Sequence, residues 1–424
     1  MANVFLPKGM RDLLPQQMIH RQRVISTIQQ VFTRYGFEPL ETPAMERIET
    51  LTGKYGDEGD KLIFRVLKRG EGAERAEVDQ ALRYDLTVPL ARVMAMNPQL
   101  TLPFKRSQIQ PVWRADRPQK GRFREFYQCD VDTVGAPCGL ADAECIAVVH
   151  DALLALGFSD FTIRLNDRRW LSALARAVGA GSRETELIVA IDKLDKIGRE
   201  GVARELSGRG FAPDQVQRLW ALLDGEALPG AEQADADLDR VEALALAMGV
   251  ARARLVRDRT LARGLDYYTG PVFETVLTDG AVGSVSGGGR YDGLIGMFSG
   301  KDLPAVGVSL GLERLLVLME ERGMLPASAT STRVWVTVFD EATEPAAVAA
   351  VAAFRAAGVP AEVSLTGGKL GKQLKAADKR GVAWVVIAGP DEVGAGSVRL
   401  RDLRAGTDEV LPLAAAVARV AAAG

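Results

Sequence analysis

Two short stretches concentrate groups that can handle charge. RGLDYYTG (Arg263 to Gly270) places a guanidinium, a carboxylate and two phenols within six positions, and SVSGGGRYDG (Ser284 to Gly293) joins three consecutive glycines to another Arg-Tyr-Asp. Three further stretches alternate with period two, which predicts half-buried antiparallel strands over Ala81–Pro89, Gln110–Asp116 and Arg122–Thr133. In LRYDLTVP, Arg83, Asp85 and Thr87 fall on one face. In RFREFYQCDVDT one face carries Arg122, Arg124, Phe126, Gln128, Asp130 and Asp132, and in VWRAD Arg114 and Asp116 share a face. A face so dense in arginine and carboxylate is either solvated or the floor of a polar cleft. Lysine is nearly absent from these faces, and the guanidinium suits bidentate phosphate and carboxylate contacts. Both points favour a charged cleft for a small anionic substrate that carries an amino group.

The glycine run is either a bend or loop, or a place where backbone approaches a ligand closely because no side chain intervenes. It fits neither G-x-G-x-x-G nor the Walker pattern, which occurs nowhere in the chain, so a bound nucleotide is held without a P-loop. The two histidines, His20 and His150, lie in helical stretches far from these motifs and read as packing or surface residues rather than a base or metal ligand. Cys129, Cys138 and Cys145 lack zinc-ligand spacing, and their odd number argues for a reducing compartment over a disulfide framework.

The elements that must position these groups follow from periodicity. A helix is predicted over 16–35, a short strand over Phe37–Pro43 and a helix over Ala141–Leu156. From about Trp170 to Val250 the chain is rich in alanine, leucine and charge, with Gly-Pro punctuation, and reads as a helical insertion. SLGLERLLVLMEERG is a helix closed by glycine, and LPASATSTR is a small-residue linker. Beyond it VWVTVF, AEVSL and AWVVIAG alternate with helices, which implies a small α/β domain with a largely parallel sheet. The expected domains are 1–168 with 251–326, 169–250, and 332–424. At 424 residues, with 47% hydrophobic and 25% charged residues, the composition is that of a globular protein of several domains. A net charge of −2 leaves any nucleic-acid contact to local patches. Neither a signal peptide nor a membrane span is expected, and the expected location is cytoplasmic.

Taken together the motifs resemble a family. VWRADRPQKGRFREFYQ is similar to the second signature of class II aminoacyl-tRNA synthetases, GVSLGLERL (Gly307 to Leu315) to the third, and YGFEPLETP to the first, whose proline lies at a dimer interface. RGLDYYTGPVFE and SGGGRYDGL resemble the two signatures peculiar to the histidyl-tRNA synthetases, and KGMRDLLP and QLKAADKRGVAWVVIAGPDE also resemble that family. The resemblance implies an α+β catalytic domain on a mostly antiparallel sheet, a helical insertion and a C-terminal α/β anticodon-binding domain. It departs from the pattern at Asp116, which stands where the class has glutamate, and at Asp85 and Asp132, each shorter than the usual acid.

The activity so implied joins L-histidine to tRNA(His) in two steps, through a histidyl-adenylate made from ATP, in a homodimer, with Mg²⁺ on the ATP phosphates and no zinc, haem or flavin. In the first step a carboxylate meets an α-phosphate, and two unit charges about 4 Å apart repel by roughly 4 kcal/mol at an effective dielectric near 20, about three decades of rate. Cations aimed at both anions offset this, and a carboxylate nucleophile has no proton to lose, so no histidine base is required. The resemblance gives Arg263 the bridge between histidine carboxylate and α-phosphate, and Arg114 the α-phosphate. It gives Arg122 and Arg314 the remaining phosphates and adenine ring, with Asp116 on the adenine side. Asp85, Thr87 and Gln128 match positions that hold the α-amino group. Asp132 and Tyr268 match those that read the imidazole, and Tyr267 and Tyr291 complete the pocket. In the last domain Lys369, Lys372, Lys375 and Lys379 share one helical face, which is either solvated or a phosphate contact for tRNA. Two other readings are a non-catalytic, histidine-binding regulatory paralogue that activates a phosphoribosyltransferase, and a nucleotide-binding ligase that does not use tRNA. The retained Arg114, Arg263 and Arg314, together with the extra domain, count against them.

Overall fold

An eight-stranded sheet carries most of the chain. Its strands are β1 (Glu38–Pro39), β2 (Phe104–Trp113), β3 (Glu125–Val134), β4 (Phe161–Asp167), β5 (Leu255–Arg257), β6 (Pro271–Leu277), β7 (Ser284–Arg290) and β8 (Ala305–Gly311). Their order across the sheet is β1-β2-β3-β8-β7-β6-β4-β5, antiparallel except for the outer pairs β1·β2 and β4·β5. The computed structural model describes residues 4–262, 267–280, 283–326 and 330–423. They divide into two units, one built mainly from Val24–Met324 and the other mainly from Leu325–Gly424.

Helix α1 (Pro15–Arg34) buries the stripe Val24, Ile28, Val31 and Phe32. Helix α3 (Leu140–Ala155) is apolar nearly all round and packs on β3 and β8, where Cys129 and Val131 are fully buried. The alternating stretches are only partly strands. Ala81–Pro89 is not one extended segment: a strand ends at Leu82, and α2 (Thr87–Met96) begins five residues later. Asp85 Oδ1 accepts the Val88 amide at 3.0 Å and so starts the helix, and Pro89 sits in its first turn, where a missing N–H costs nothing. Leu86, Val88 and Leu90 are completely buried. Each such side chain contributes roughly 1.5–3 kcal/mol, more than the ~1 kcal/mol span of local β preference. Arg114 to Arg124 likewise form the loop between β2 and β3, so strand parity applies to Phe126–Asp132 and not to Arg114, Asp116, Arg122 or Arg124. Within β1, only two residues of Phe37–Pro43 pair, parallel to β2.

Helices Arg168–Ala177, Glu184–Ile191, Leu194–Gly208, Pro213–Leu223 and Glu232–Ala247 follow β4. They close around their own core of Trp170, Leu174, Leu187, Ile191, Leu206 and Leu219. In the second unit five strands run in the order Ala361–Val363, Val334–Val336, Trp384–Ile387, Val398–Asp402, Thr407–Leu411. The first two pairings are parallel and the last two antiparallel. The sheet is therefore mixed rather than largely parallel, because the chain turns back after the short helix Pro390–Gly394 and again through a tight hairpin at Gly406, where the βαβ pattern predicted neither. Helix α5 (Leu370–Lys379) buries Gln373 and Ala377 and leaves Lys369, at its N-cap, with Lys372, Lys375 and Lys379 exposed. No helix among the described residues is long and apolar enough to cross a membrane.

Candidate active site

Over β3, β7 and β8 lies a cavity of about 390 Å³. Register aligns Gln128, Asp130 and Asp132 of β3 with Gly311, Ser309 and Gly307 of β8, and all six line it. The glycines have separate reasons. A side chain on Gly307 would collide with the Asp132 carboxylate, and one on Gly288 with the backbone of Gly307 and Val308. Gly287 meets little within 4 Å and opens on the cavity. The run SGGGRYDG is thus a strand in which one glycine leaves room for a ligand and its neighbour permits close strand packing.

Carboxylates and phenols gather in one group. The buried Asp85 accepts the hydroxyls of Tyr55 at 3.1 Å and Tyr267 at 3.3 Å, besides the Val88 amide. Burial nonetheless pushes its carboxyl above the usual range, against the pull of those bonds and of Arg114. Thr87 bonds Tyr267. The rings of Tyr267, Tyr268 and Tyr291 form an edge-on cluster, with centroids 5.1 and 5.9 Å apart around Tyr267. Tyr291 donates its hydroxyl to Asp132, and Arg106 Nη2 lies 2.8 Å from the same carboxylate. Asp132 is raised mainly by burial, with Arg106 opposing.

Guanidiniums form a second group. Arg114 donates from Nε to Tyr84 O at 3.0 Å, and its guanidinium lies 4.2 Å over the Tyr84 ring and 5.2 Å from that of Phe126, so its direction is set by what it stacks on. Arg122 forks onto Asp116 through two bonds of 3.1 and 3.2 Å. Arg314, in the first turn of α4 (Leu312–Glu321), is tied to the carbonyl and hydroxyl of Ser284. Glu274 and Glu313 are buried in the lining, and Glu313 accepts the Tyr127 amide at 3.0 Å.

The fold therefore brings Asp85, Thr87, Arg114, Asp116, Arg122, Gln128, Asp132, Tyr267, Tyr268, Tyr291 and Arg314 to one cavity. Arg263 lies outside the described residues. The four lysines of α5 belong to the other unit. Arg106, Asp130 and Tyr55 went unassigned from sequence. Arg106 is the cross-strand partner of Asp132, and it was hidden because β2 begins at Phe104 rather than Gln110. Carrying the alternation back would have put Arg106 and Gln108 on one face. Elsewhere, His150 is a buried packing residue, 2.9 Å from Asp151 and edge-on to Phe161.

Cations facing a pocket of carboxylates and phenols suit a zwitterion beside a polyanion. The model of the histidyl-tRNA synthetases matches residues 9–315, and that of the anticodon binding domain matches residues 331–423. A histidine–tRNA ligase of Cytophaga hutchinsonii is 44% identical, over 95% of this chain and 96% of its own length. One from Gloeobacter violaceus is 44% identical over 96% of each. The crystal structure of histidyl-tRNA synthetase from Nostoc sp. PCC 7120 superposes with a TM-score of 0.85 at 32% identity, covering 99% of this chain and 100% of that one. The chain belongs to the histidyl-tRNA synthetase family, ATP-dependent enzymes that ligate histidine to tRNA.

Proposed function

We propose that this histidyl-tRNA synthetase family member forms its adenylate by charge placement alone, in the cavity floored by β3 and β8. The observation that carries this reading is the convergence of Arg114, Arg122 and Arg314 with Asp85 and Asp132 on one 390 Å³ cavity. Asp85, Thr87 and Gln128 hold the α-ammonium of histidine. Asp132, with Tyr268, reads the imidazole, and Tyr291 and Tyr267 hold those groups in place. The ring offers one donor and one acceptor nitrogen, and an acid with a phenol can satisfy both. An amino acid without them would leave buried groups unpaired, which is how the site rejects it.

Arg114 binds the α-phosphate and Arg263 bridges it to the histidine carboxylate. Arg122 and Arg314 take the β and γ phosphates and the adenine ring. The Arg122–Asp116 pair must open or pivot for this, and Asp116 then serves the adenine side. Mg²⁺ would offset charge on the departing pyrophosphate. Two oxygen-donor carboxylates in the lining, Glu274 and Glu313, suit that hard cation beside phosphate oxygens. The rest follows from the chain: the carboxylate attacks, pyrophosphate leaves, and no group needs to remove a proton.

The expected domain division is 1–168 with 251–326 for catalysis, 169–250 as an insertion and 332–424 for the anticodon. Lys369, Lys372, Lys375 and Lys379 meet tRNA(His) phosphates in the last. A two-fold dimer and a cytoplasmic location complete the reading. The regulatory-paralogue alternative is disfavoured by ligase relatives matched over nearly the whole chain. Single-turnover adenylate formation tests the mechanism. Arg263→Ala is expected to keep ATP binding and lose about 10²–10³ in rate, whereas a loss under about tenfold would remove Arg263 from the chemical step.

A further inference from the structure

Asp130 has no part in the reading above, yet it is placed as the assigned residues are. It lies between Gln128 and Asp132 on β3, lines the cavity and is buried. One guanidinium faces two carboxylates here: Arg106 Nη2 is 2.8 Å from Asp132 Oδ2 but 3.8 Å from Asp130 Oδ2. Asp132 also receives the Tyr291 hydroxyl on Oδ1, and its Oδ2, which makes no hydrogen bond of normal geometry, still has the close guanidinium. Asp130 has the Ser309 hydroxyl, while its buried Oδ1 has no hydrogen-bond partner among the described residues. A buried carboxylate oxygen in that state is costly unless a ligand supplies a donor.

We propose that Asp130 is a further substrate-binding residue, which shares the ammonium of histidine with Asp85, Thr87 and Gln128 through the oxygen that its neighbours leave unpaired. This rests on the cavity being the histidine site. The groups that act on Asp130 are Arg106 from β2, Asp132 beside it on β3, Ser309 from β8, Arg83 and Asp85 from the segment before α2 and Tyr268 from the segment before β6. Burial among them, with Arg106 opposing and Asp132 and Asp85 adding like charge, pushes the Asp130 carboxyl up to about 7. Without histidine its carboxyl therefore keeps part of its proton near neutral pH. An arriving ammonium favours the carboxylate, the O–H bond breaks, and the proton passes to solvent.

Calorimetric titration of histidine into the whole chain at pH 7, in two buffers of different ionisation enthalpy, counts that proton. The substrate's own ring, with a pKa near 6.5, releases at most about a quarter of a proton at this pH. A proton lost from Asp130 on binding comes in addition to that share. Wild-type release above the ring's share supports the assignment when that excess is lost in Asp130→Asn together with about tenfold in affinity, because Asp85 and Asp132 are raised by burial too. Wild-type release no greater than the ring's share overturns it even if the variant does not fold, as does equal excess in both proteins; the histidine site itself then stands. Failure of the wild-type chain to bind histidine at all would overturn the site reading and this inference together.

Discussion

Arginine–aspartate pairs occur both in the cavity and in the helices of 168–247, with different consequences. Arg106, with no exposed surface, is set against two buried acids on the cavity floor. Arg199 and Asp224, on the helices, pair at side-chain exposures of 54% and 52%. Water screens the second pair and competes for it, so its net contribution is small. In the first, neither partner can be solvated, and removing one strands the other. Burial, rather than residue type, decides whether the loss of one partner strands the other.

Perturbing the two regions puts this contrast to the test. The largest effect is expected at Arg114, where Arg114→Ala should slow adenylate formation by about 10²–10³ in single-turnover assays. Next comes Asp132→Asn, which keeps the shape but not the charge. It should lower kcat/KM for histidine by about 10–100-fold with KM for ATP little changed. The lysines of α5 sharpen the contrast, because they are exposed and yet assigned to a ligand. Charge reversal at Lys372 and Lys375 should weaken tRNA binding about three- to tenfold and flatten its salt dependence by about two in log–log slope. An unchanged slope would return them to the class of solvated surface.

Stability gives a smaller effect. The Asp130 carboxyl stands near 7 in the folded chain and near 3.9 when unfolded, so between these values the folded state holds more protons. Stability is then lost as pH rises from about 4 to 7. Asp130→Asn removes that loss, so without histidine its Tm should exceed the wild-type value at pH 8 by roughly 2–5 °C, with the gap closing toward pH 4. The smallest effect is expected for Arg199→Ala, which should leave both Tm and activity where they were. A clear drop in either would break the comparison at its exposed end.

Much of the cavity was legible in the sequence because β3 is a regular strand whose alternate residues must share a face. Parity puts Gln128, Asp130 and Asp132 on one face, the family resemblance singles out the first and last of them, and the glycine run stands out by composition alone. Parity misled where helix geometry took over. Asp85-Leu-Thr-Val-Pro alternates on paper, but Asp85 caps a helix start and Leu86, Val88 and Leu90 are all buried. Arg106 and Tyr55 were missed for another reason. Each acts through a partner distant in sequence, Asp132 and Asp85, and only the pairing of β2 with β3 or the packing of Tyr55 on Tyr84 brings them together. The closing hairpin of the second unit was missed because a short polar turn carries little periodic signal.

Amino-acid-dependent ATP–pyrophosphate exchange, run with each of the twenty amino acids on the wild-type, Arg114→Ala and Arg199→Ala chains, tests the central claim most directly. Exchange with histidine alone, reduced by at least about a hundredfold in Arg114→Ala and undiminished in Arg199→Ala, is the predicted result. Exchange that survives Arg114→Ala within about tenfold, or that other amino acids support equally, would contradict the assignment of this cavity as the histidine-activating site.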